Sequence, residues 1–335
     1  MDQKRWIVSV LILVTAILLF FALSLLHGSV SIPTSAVFSI LMGEQTPMSA
    51  WQYIVLQTRL PQALTALLAG SALAVSGLLL QTVFRNPLAA PDIFGVTSGA
   101  SLSVALVTLS PVAMLPSMLN ALSSVAAAFV GAMVITALIW VASRMVRNSV
   151  MVIILGMMVG YVTSSAITLL NFFASEQGVK IFSVWGMGSF GGVSMEQMPL
   201  FATLVIAVTV ASLFFAKPLN ALLMGPGYAR NLGVNVQRMR DMLLLLTGLL
   251  TAVVTAYCGP IAFLSLAVPH IARLMIGTSD HRRLLPVTIL CGGAIALQCN
   301  VFTTLPASGA VLPLNAITPL IGAPVIIYVI LKKRH

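Results

Sequence analysis

The sequence predicts an all-α protein that crosses a membrane many times. Hydrophobic residues make up 59% of the 335 residues and charged residues only 7%, whereas soluble domains carry about 25% charged residues. Apolar runs recur along the whole chain, and a helix needs about 20 apolar residues to cross a bilayer core. So few charges cannot cover a water-exposed surface, and we therefore expect a polytopic membrane protein.

Ten apolar segments are candidates for membrane-spanning helices, with Gly, Pro and charged residues marking their ends. The first is longer than the roughly 7–15-residue core of a signal peptide and lacks a convincing cleavage site, so we expect it to be retained. No loop is long enough for a second domain, which predicts one transmembrane domain over residues 1–335. The predicted spans are about 6–26, 58–82, 95–109, 117–142, 149–173, 199–216, 241–257, 260–276, 284–299 and 313–331.

The basic residues test this count. With ten spans, all of the 17 Lys and Arg residues except Arg59 and Lys180 lie on the side that holds both termini. Cytoplasmic loops are enriched in Lys and Arg, and one missed or extra span would destroy the asymmetry. We therefore expect both termini in the cytoplasm. The net charge of +10 follows from this topology and does not predict a nucleic-acid partner.

No motif for energy supply or catalysis is present in the sequence. The phosphate-binding pattern GxxxxGK[ST] is missing, and no HExxH, Ser/His/Asp or metal-ligand spacing occurs. Every Asp and Glu falls in a loop or at a helix edge, whereas ion-coupled carriers place ionisable groups near the bilayer midplane. We expect a non-catalytic conduit without bound metal or cofactor, driven by another protein. An ion-coupled secondary transporter and a structural membrane scaffold remain as alternatives.

Three stretches carry a family resemblance. The first covers 59–100 and ends in RNPLAAPDIFGVTSGA, and the second is GPGYARNLGVNVQRMR at 225–240. The third covers 259–286, contains PHIAR, and is followed by a segment at 312–334 that begins LPLNAITPLIGAP. Together they resemble the FecCD family, the membrane subunits of bacterial ABC importers for iron-siderophore complexes, haem and vitamin B12. The resemblance extends from about residue 55 to the end of the chain.

The resemblance implies an architecture and a set of partners. The fold is that of a type II ABC importer permease with ten helices, located in the bacterial cytoplasmic (inner) membrane. A second permease subunit completes a homodimer or a paired heterodimer. Two separate ATPase subunits carry ATP and Mg²⁺, and a periplasmic or lipoprotein binding protein delivers the substrate. Iron-siderophore is the expected cargo on family breadth alone, with haem and vitamin B12 as alternatives.

The inner loop at 84–100 is expected to be a rigid re-entrant turn. Prolines stop helix continuation, and glycines permit the sharp start of a short helix. Arg85 and Asp92 either pair across this turn or are both solvated. His270 and Arg273 share a helix face, His270 is expected to be structural, and His281 is expected in a solvated turn. The inner-loop candidates are Arg85, Asn86, Pro87, Pro91, Asp92, Gly95, Pro269, His270 and Arg273.

The loop at about 217–240 is expected to couple the chain to its ATPase. By resemblance, short helices in this loop meet the ATPase subunit, although Pro226 and Gly227 stand where family members commonly have acidic residues. An ordinary basic loop would explain the charges of the segment but not the order of its motif. The matching residues are Ala229, Arg230, Leu232, Gly233 and Val234.

Arg59 is the expected contact for the binding protein, because it matches a family arginine that meets acidic knobs on that partner. Several other positions of the outer face depart from the family pattern, so we expect fewer salt bridges there or a different partner subunit that supplies them. These departures are Gln62, Asn300, Thr304, Val311 and Asn315. The translocation path is expected along the fifth span, with Met157, Met158, Tyr161 and Thr163 as candidates.

Overall fold

The computed structural model describes residues 2–44, 48–109, 117–146, 148–304 and 311–332, and this part of the chain is helical without β-strands. A π-helical turn, Ile54–Arg59, leads into the fourth α-helix, and a short 3-10 helix covers Phe190–Gly192. The α-helices are α1 Asp2–Leu26, α2 Thr34–Leu41, α3 Ser49–Tyr53, α4 Leu60–Val83, α5 Val96–Thr108, α6 Ser117–Met145, α7 Ser149–Phe173, α8 Glu176–Gly186, α9 Met198–Leu213, α10 Ala216–Leu223, α11 Pro226–Asn231, α12 Val236–Cys258, α13 Leu264–Ile276, α14 His281–Thr303 and α15 Leu314–Lys332.

The apolar helices agree with the predicted spans. Six helices of the described chain are long and apolar enough to cross a membrane, and a seventh span is formed if α9 and α10, bent by 52°, are counted together. Three shorter apolar helices, in α5, α13 and α15, complete the set. Each of the ten predicted segments overlaps one of these helices, so the all-helical membrane fold is confirmed.

Helices α5 and α13 are short because both begin inside the bundle. α5 starts at Gly95, whose φ of 76° places it in the left-handed region, and α13 follows Phe263 with a φ of 68°. Thirteen residues in each helix span about 20 Å, less than the roughly 30 Å core of a bilayer. The non-helical backbone before each helix is therefore covered by protein, as apolar surroundings require.

Helix α4 lies at the centre of the core, in contact with α9, α12, α13 and α14. Its small residues Ala66, Gly70 and Ala74 are buried, and a Cβ atom on Gly70 would lie 2.3 Å from the carbonyl oxygen of Gly292 in α14. Such close backbone approach is how membrane helices associate without a hydrophobic driving force. These residues therefore form a packing seam along α4. Gly156, Gly160 and Ser164 repeat the spacing in α7, but Ser164 is exposed.

The two ends of the bundle differ in charge. We call the end where α4, α6 and α13 finish and α12 and α14 begin the basic end. The indole of Trp6 near the start of α1 donates to the Arg283 carbonyl there. Apart from Arg59 and Lys180, which lie at the opposite end, the Lys and Arg residues of the described ranges belong to helix ends or connections of the basic end. Three further basic residues that are expected on the same side lie outside the described residues, namely Arg147, Lys333 and Arg334.

Candidate functional site

The connection between α4 and α5, residues 84–95, is held in place by α13. His270 donates from Nε2 to the Pro87 carbonyl oxygen at 2.9 Å, and Arg273 donates to Gln81 Oε1 at 2.7 Å. Gln81 in turn donates to the Leu266 carbonyl at 3.2 Å. One face of α13 therefore ties the end of α4 and the re-entrant connection together. Pro269 is buried within the same helix.

Arg85 and Asp92 do not pair with each other, and they are not both solvated. Arg85 is exposed with a left-handed φ of 49°, but Asp92 lies beside the Ser265 side chain and the Phe263 backbone at the start of α13. In the described part of the chain, the one salt bridge joins Arg144 to Asp241.

Asp92 instead interacts with the amino-terminal end of α13. The exposed N–H groups of a helix start carry partial positive charge and attract a carboxylate. The contact is electrostatic, because neither Asp92 Oδ1 nor Ser265 Oγ has a hydrogen-bond partner of good geometry among the described residues. Elsewhere in the connection, Asn86 Oδ1 accepts from the Leu88 N–H at 2.9 Å, and Pro91 begins the turn that ends at Gly95.

His281 was expected in a solvated turn, and this expectation is wrong. The side chain is fully buried at the start of α14, with Nε2 2.9 Å from Thr82 Oγ1 of α4. Nδ1 and the backbone N–H both donate to Asn220 Oδ1 of α10, at 2.9 and 2.8 Å. The sequence carried a signal for this burial: His281, Leu284, Leu285 and Thr288 follow the spacing of one helix face, and all four are buried.

Asp280 caps the same helix from outside the span. Its carboxylate accepts from the Arg282 N–H at 3.0 Å and from the Asn220 side chain. Partial burial raises the pKa of the Asp280 carboxyl, but these hydrogen bonds and the charges of Arg282 and Arg283 outweigh it, so the pKa lies below its usual value. The start of α14 and the helix α10 are thus joined by a continuous polar network.

Helices α10 and α11 form the compact centre of the predicted coupling loop. Gly225 and Gly233, with φ of 111° and 79°, bound α11 in left-handed turns. Leu232 is 57% exposed and Arg230 is also exposed, whereas Ala229 is fully buried. Ala229 therefore supports the loop from inside and does not present a surface to a partner. The Val234 N–H donates to the Ala229 carbonyl at 3.0 Å and closes the turn.

A second polar cluster at the basic end was not found from the sequence. Arg144 of α6 donates to Asp241 of α12 at 2.7 Å and lies over the Trp140 ring at 4.4 Å. Arg240 lies 4.8 Å from the centre of the Phe84 ring, at the end of α4. Because the Arg144 side chain is 52% exposed, solvent screens its ion pair, and we expect the pair to contribute little to stability. Helix α12 is thus linked by charged side chains to α6 and to α4.

Arg59 was expected to contact a binding protein, but the structure places its side chain inside the protein. The side chain is only 5% exposed. Its Nη1 donates to the carbonyls of Leu25 and Leu26 at 2.7 and 3.0 Å, and Nη2 donates to that of Val30. The last carbonyls of a helix have no partner within it, and Arg59 supplies that partner for α1. The sequence gives no sign of this, because the partners are backbone groups about 30 positions away.

Two of the expected outer-face departures contact each other. Gln62 donates to Asn300 Oδ1 at 2.8 Å, and the Asn300 amide donates to Ser24 at 3.3 Å. Thr304 donates to the Val301 carbonyl of its own helix at 2.9 Å, while Val311 is exposed. The pair formed by Gln62 and Asn300 joins α4 to α14 without charge.

Three of the four path candidates lie on one side of α7. Met157, Met158 and Tyr161 are 39%, 49% and 69% exposed, respectively. Thr163 was grouped with them, but it is buried and donates to the Gly160 carbonyl at 2.9 Å. Two positions beyond Tyr161, Thr163 points to the opposite side of the helix, so this assignment is corrected.

The comparisons with known proteins agree with this architecture. The model of the FecCD transport family matches residues 15–332. The hemin transport system permease protein HmuU of Yersinia pestis is 35% identical over 302 residues, which cover 90% of each chain. The vitamin B12 import system permease protein BtuC of Vibrio cholerae is 33% identical over 305 residues, which cover 89% of this chain and 90% of the relative.

A solved structure gives the same result for the fold. This structure, an inward-facing conformation of a metal-chelate type ABC transporter, superposes with a TM-score of 0.82 at 28% sequence identity and covers 96% of this chain and 97% of that chain. The match extends over nearly the full length of both molecules. On the family model, the relatives and the fold, the chain belongs to the FecCD transport family.

Proposed function

We propose that this chain is the permease subunit of a binding-protein-dependent ABC importer in a bacterial cytoplasmic membrane. Two copies form a homodimer, separate ATPase subunits bind at the basic end, and a soluble binding protein docks at the opposite end. Both termini are then cytoplasmic. Hydrolysis of ATP by the partner biases the helix bundle between two states, which gives alternating access. The names of the relatives, which are permeases for hemin and vitamin B12, support this assignment.

The observation that carries the proposal is the surface of α10 and α11 at the basic end. Met224, Tyr228 and Leu232 are 70%, 51% and 57% exposed, although they lie in a short polar segment outside the apolar helices. Exposed apolar side chains on short helices are typical of surfaces that dock a soluble partner. The sequence contains no nucleotide-binding motif of its own, so ATP-driven transport requires such a partner.

The cargo is a bulky metal chelate. Iron-siderophore is our first assignment, and haem and vitamin B12 are the alternatives suggested by the relatives. Met157, Met158 and Tyr161 on the exposed side of α7 are the side chains that we assign to the translocation path. Thioether and aromatic groups suit a wide, weakly polar passage.

A pair of substitutions tests the docking surface. Leu232→Asp places a charge on the exposed face of the coupling segment, and we expect the ATPase subunit to bind at least about tenfold more weakly. Met42→Asp is the matched control, because Met42 is 77% exposed but lies at the opposite end. The measurement is retention of the ATPase subunit by the purified chain in nanodiscs. Equal binding by Leu232→Asp and wild type would remove this surface from the proposal.

Transport assays separate the proposal from a secondary transporter. In proteoliposomes that contain the chain and its ATPase subunit, uptake of ferric siderophore, haemin or cobalamin is expected to require ATP and to survive a proton uncoupler. Uptake by the chain alone along an ion gradient would favour the secondary transporter. The cargo that is accumulated identifies the substrate class.

A further inference from the structure

Three chain segments meet at the opposite end of the bundle around one side chain, Asn315. The first is the end of α8 with the residues after it, the second connects α12 to α13, and the third is the start of α15, which carries Asn315. The Asn315 N–H donates to the Met187 carbonyl at 3.1 Å. The meeting point is therefore formed by chain segments that belong to four different helices.

The carboxamide of Asn315 uses its hydrogen-bonding capacity on these segments. Nδ2 donates to the carbonyls of Gly186 at 3.1 Å and Pro260 at 2.7 Å, and Oδ1 accepts from the Ala262 N–H at 3.1 Å. Both amide hydrogens and one lone pair are thus engaged by backbone groups. A leucine or alanine at this position has no atoms that replace these bonds.

The backbone around Asn315 is packed too closely to separate gradually. A Cβ atom on Gly259 would lie 2.4 Å from the Trp185 carbonyl oxygen, and one on Gly192 would lie 2.0 Å from the Tyr257 carbonyl oxygen. The Ser189 N–H donates to the Cys258 carbonyl at 2.8 Å across the same contact. Moving the end of α8 away from the connection before α13 therefore breaks the Asn315 bonds together.

From this geometry we propose that Asn315 is a positioning residue that keeps the opposite end of the bundle closed. The inference rests on the proposed transport function, in which this end must open to receive substrate. When it opens, the carboxamide releases the carbonyls of Gly186 and Pro260, and when it closes, the same bonds form again. The solved structure with this fold is inward-facing, a state in which the outer end is closed.

A native thiol next to this contact reports its state. Cys258 is 2% exposed and directly precedes Gly259, whereas Cys299 is fully buried in α14 and serves as an internal reference. The full-length chain in lipid nanodiscs is treated with N-ethylmaleimide, and labelling of each cysteine is followed by mass spectrometry. In Asn315→Ala, which loses three hydrogen bonds, we expect Cys258 to be labelled at least about tenfold faster, with Cys299 unchanged.

Two further variants keep the test decisive. Asn315→Asp retains the acceptor for Ala262 but loses both donated bonds, so its labelling rate should lie between those of wild type and Asn315→Ala. Gln62→Ala removes a different hydrogen bond at the same end and should leave Cys258 protected. An unchanged rate in Asn315→Ala, or equal acceleration at Cys299, would overturn the proposal.

A coupled assay distinguishes positioning from general stability. In the complete transporter, Asn315→Ala should still hydrolyse ATP but accumulate less cargo per ATP, because the opposite end no longer closes tightly. Loss of hydrolysis and uptake in the same proportion would contradict a role in closure. The labelling result does not depend on transport, so failure of the proposed function in wild type is recognised separately.

Discussion

Arg59 provides the most direct test of how the structure differs from the family-based expectation. Replacing it with alanine removes the donors to the last carbonyls of α1 and to Val30. The side chain also fills the space next to Gly28, where a Cβ atom would lie 2.8 Å from the Arg59 Nε atom. Arg59→Ala should therefore loosen the contact between α1 and the start of α4.

The size of the effect can be bracketed from known hydrogen-bond energies. Hydrogen bonds to a charged group contribute about 1.5–3 kcal/mol each in soluble proteins, whereas interhelical bonds in a membrane protein average about 0.6 kcal/mol. Three bonds at the lower value give about 2 kcal/mol, to which the cost of unpaired carbonyls is added. Three bonds at the higher value would overestimate the loss of stability, because a single guanidinium donates to all three carbonyls. We expect a loss of about 3 kcal/mol in the free energy of unfolding.

The assay is unfolding of the purified chain in mixed micelles by increasing fractions of SDS, followed by circular dichroism. Lys180→Ala is the control, because Lys180 is the other basic residue of this end and is exposed. Arg59→Lys should recover less than half of the loss, since an ammonium cannot reach several carbonyls in the planar geometry of a guanidinium. The reasoning is refuted if Arg59→Ala is as stable as wild type and instead binds the soluble binding protein more weakly.

Three further predictions concern the basic end and the core, and the same unfolding assay measures each. Gly77→Ala should destabilise the protein by more than about 2 kcal/mol, because the new Cβ would lie 1.6 Å from a carbonyl oxygen of α13. Gly186→Ala is the control and should be neutral or slightly stabilising, because no atom lies within 4 Å of its Cβ position. His281→Ala should lower the free energy of unfolding by about 2–4 kcal/mol, because it leaves buried polar partners unpaired. Arg282→Ala should change it by under about 0.5 kcal/mol. Equal effects of the two substitutions would contradict the buried, hydrogen-bonded role of His281. Asp92→Asn should be neutral or stabilising, because burial penalises the Asp92 carboxylate by more than the start of α13 compensates, and a clear loss of stability would show that the charge is compensated.

The membrane-spanning helices could be predicted from the sequence because the bilayer imposes a length on every apolar segment. The two short helices were also predicted, at 95–109 and 260–276, since Pro and Gly mark their starts. Their observed ranges, Val96–Thr108 and Leu264–Ile276, differ by only a few residues. The bend between α9 and α10 was not predicted, although Pro218 in the first turn of α10 lacks the N–H that a continuous helix would bond to the Phe214 carbonyl.

The candidate site was harder to predict because single polar residues depend on partners that are distant in the chain. Arg59 and Asp92 were assigned from their charge and the motif around them, but Arg59 donates to backbone carbonyls at the end of α1, and Asp92 lies beside Phe263 and Ser265 at the start of α13. Sequence spacing contains no information on such contacts. His281 is different, since the helical phase of the residues after it indicated burial. Thr163 could likewise have been separated from Tyr161 by helical phase alone.

The network between Asn220 and His281 has a mechanical consequence. A helix joined to the protein only by a flexible loop would move independently of its neighbours. Helix α10 is instead hydrogen-bonded to the start of α14 by several short polar contacts. His281 also touches Thr82, so the end of α4 belongs to the same stiff block. A displacement of α10 would therefore be passed on to α4 and α14, which cross in close backbone contact at Gly70 and Gly292, and would not be absorbed at a flexible hinge.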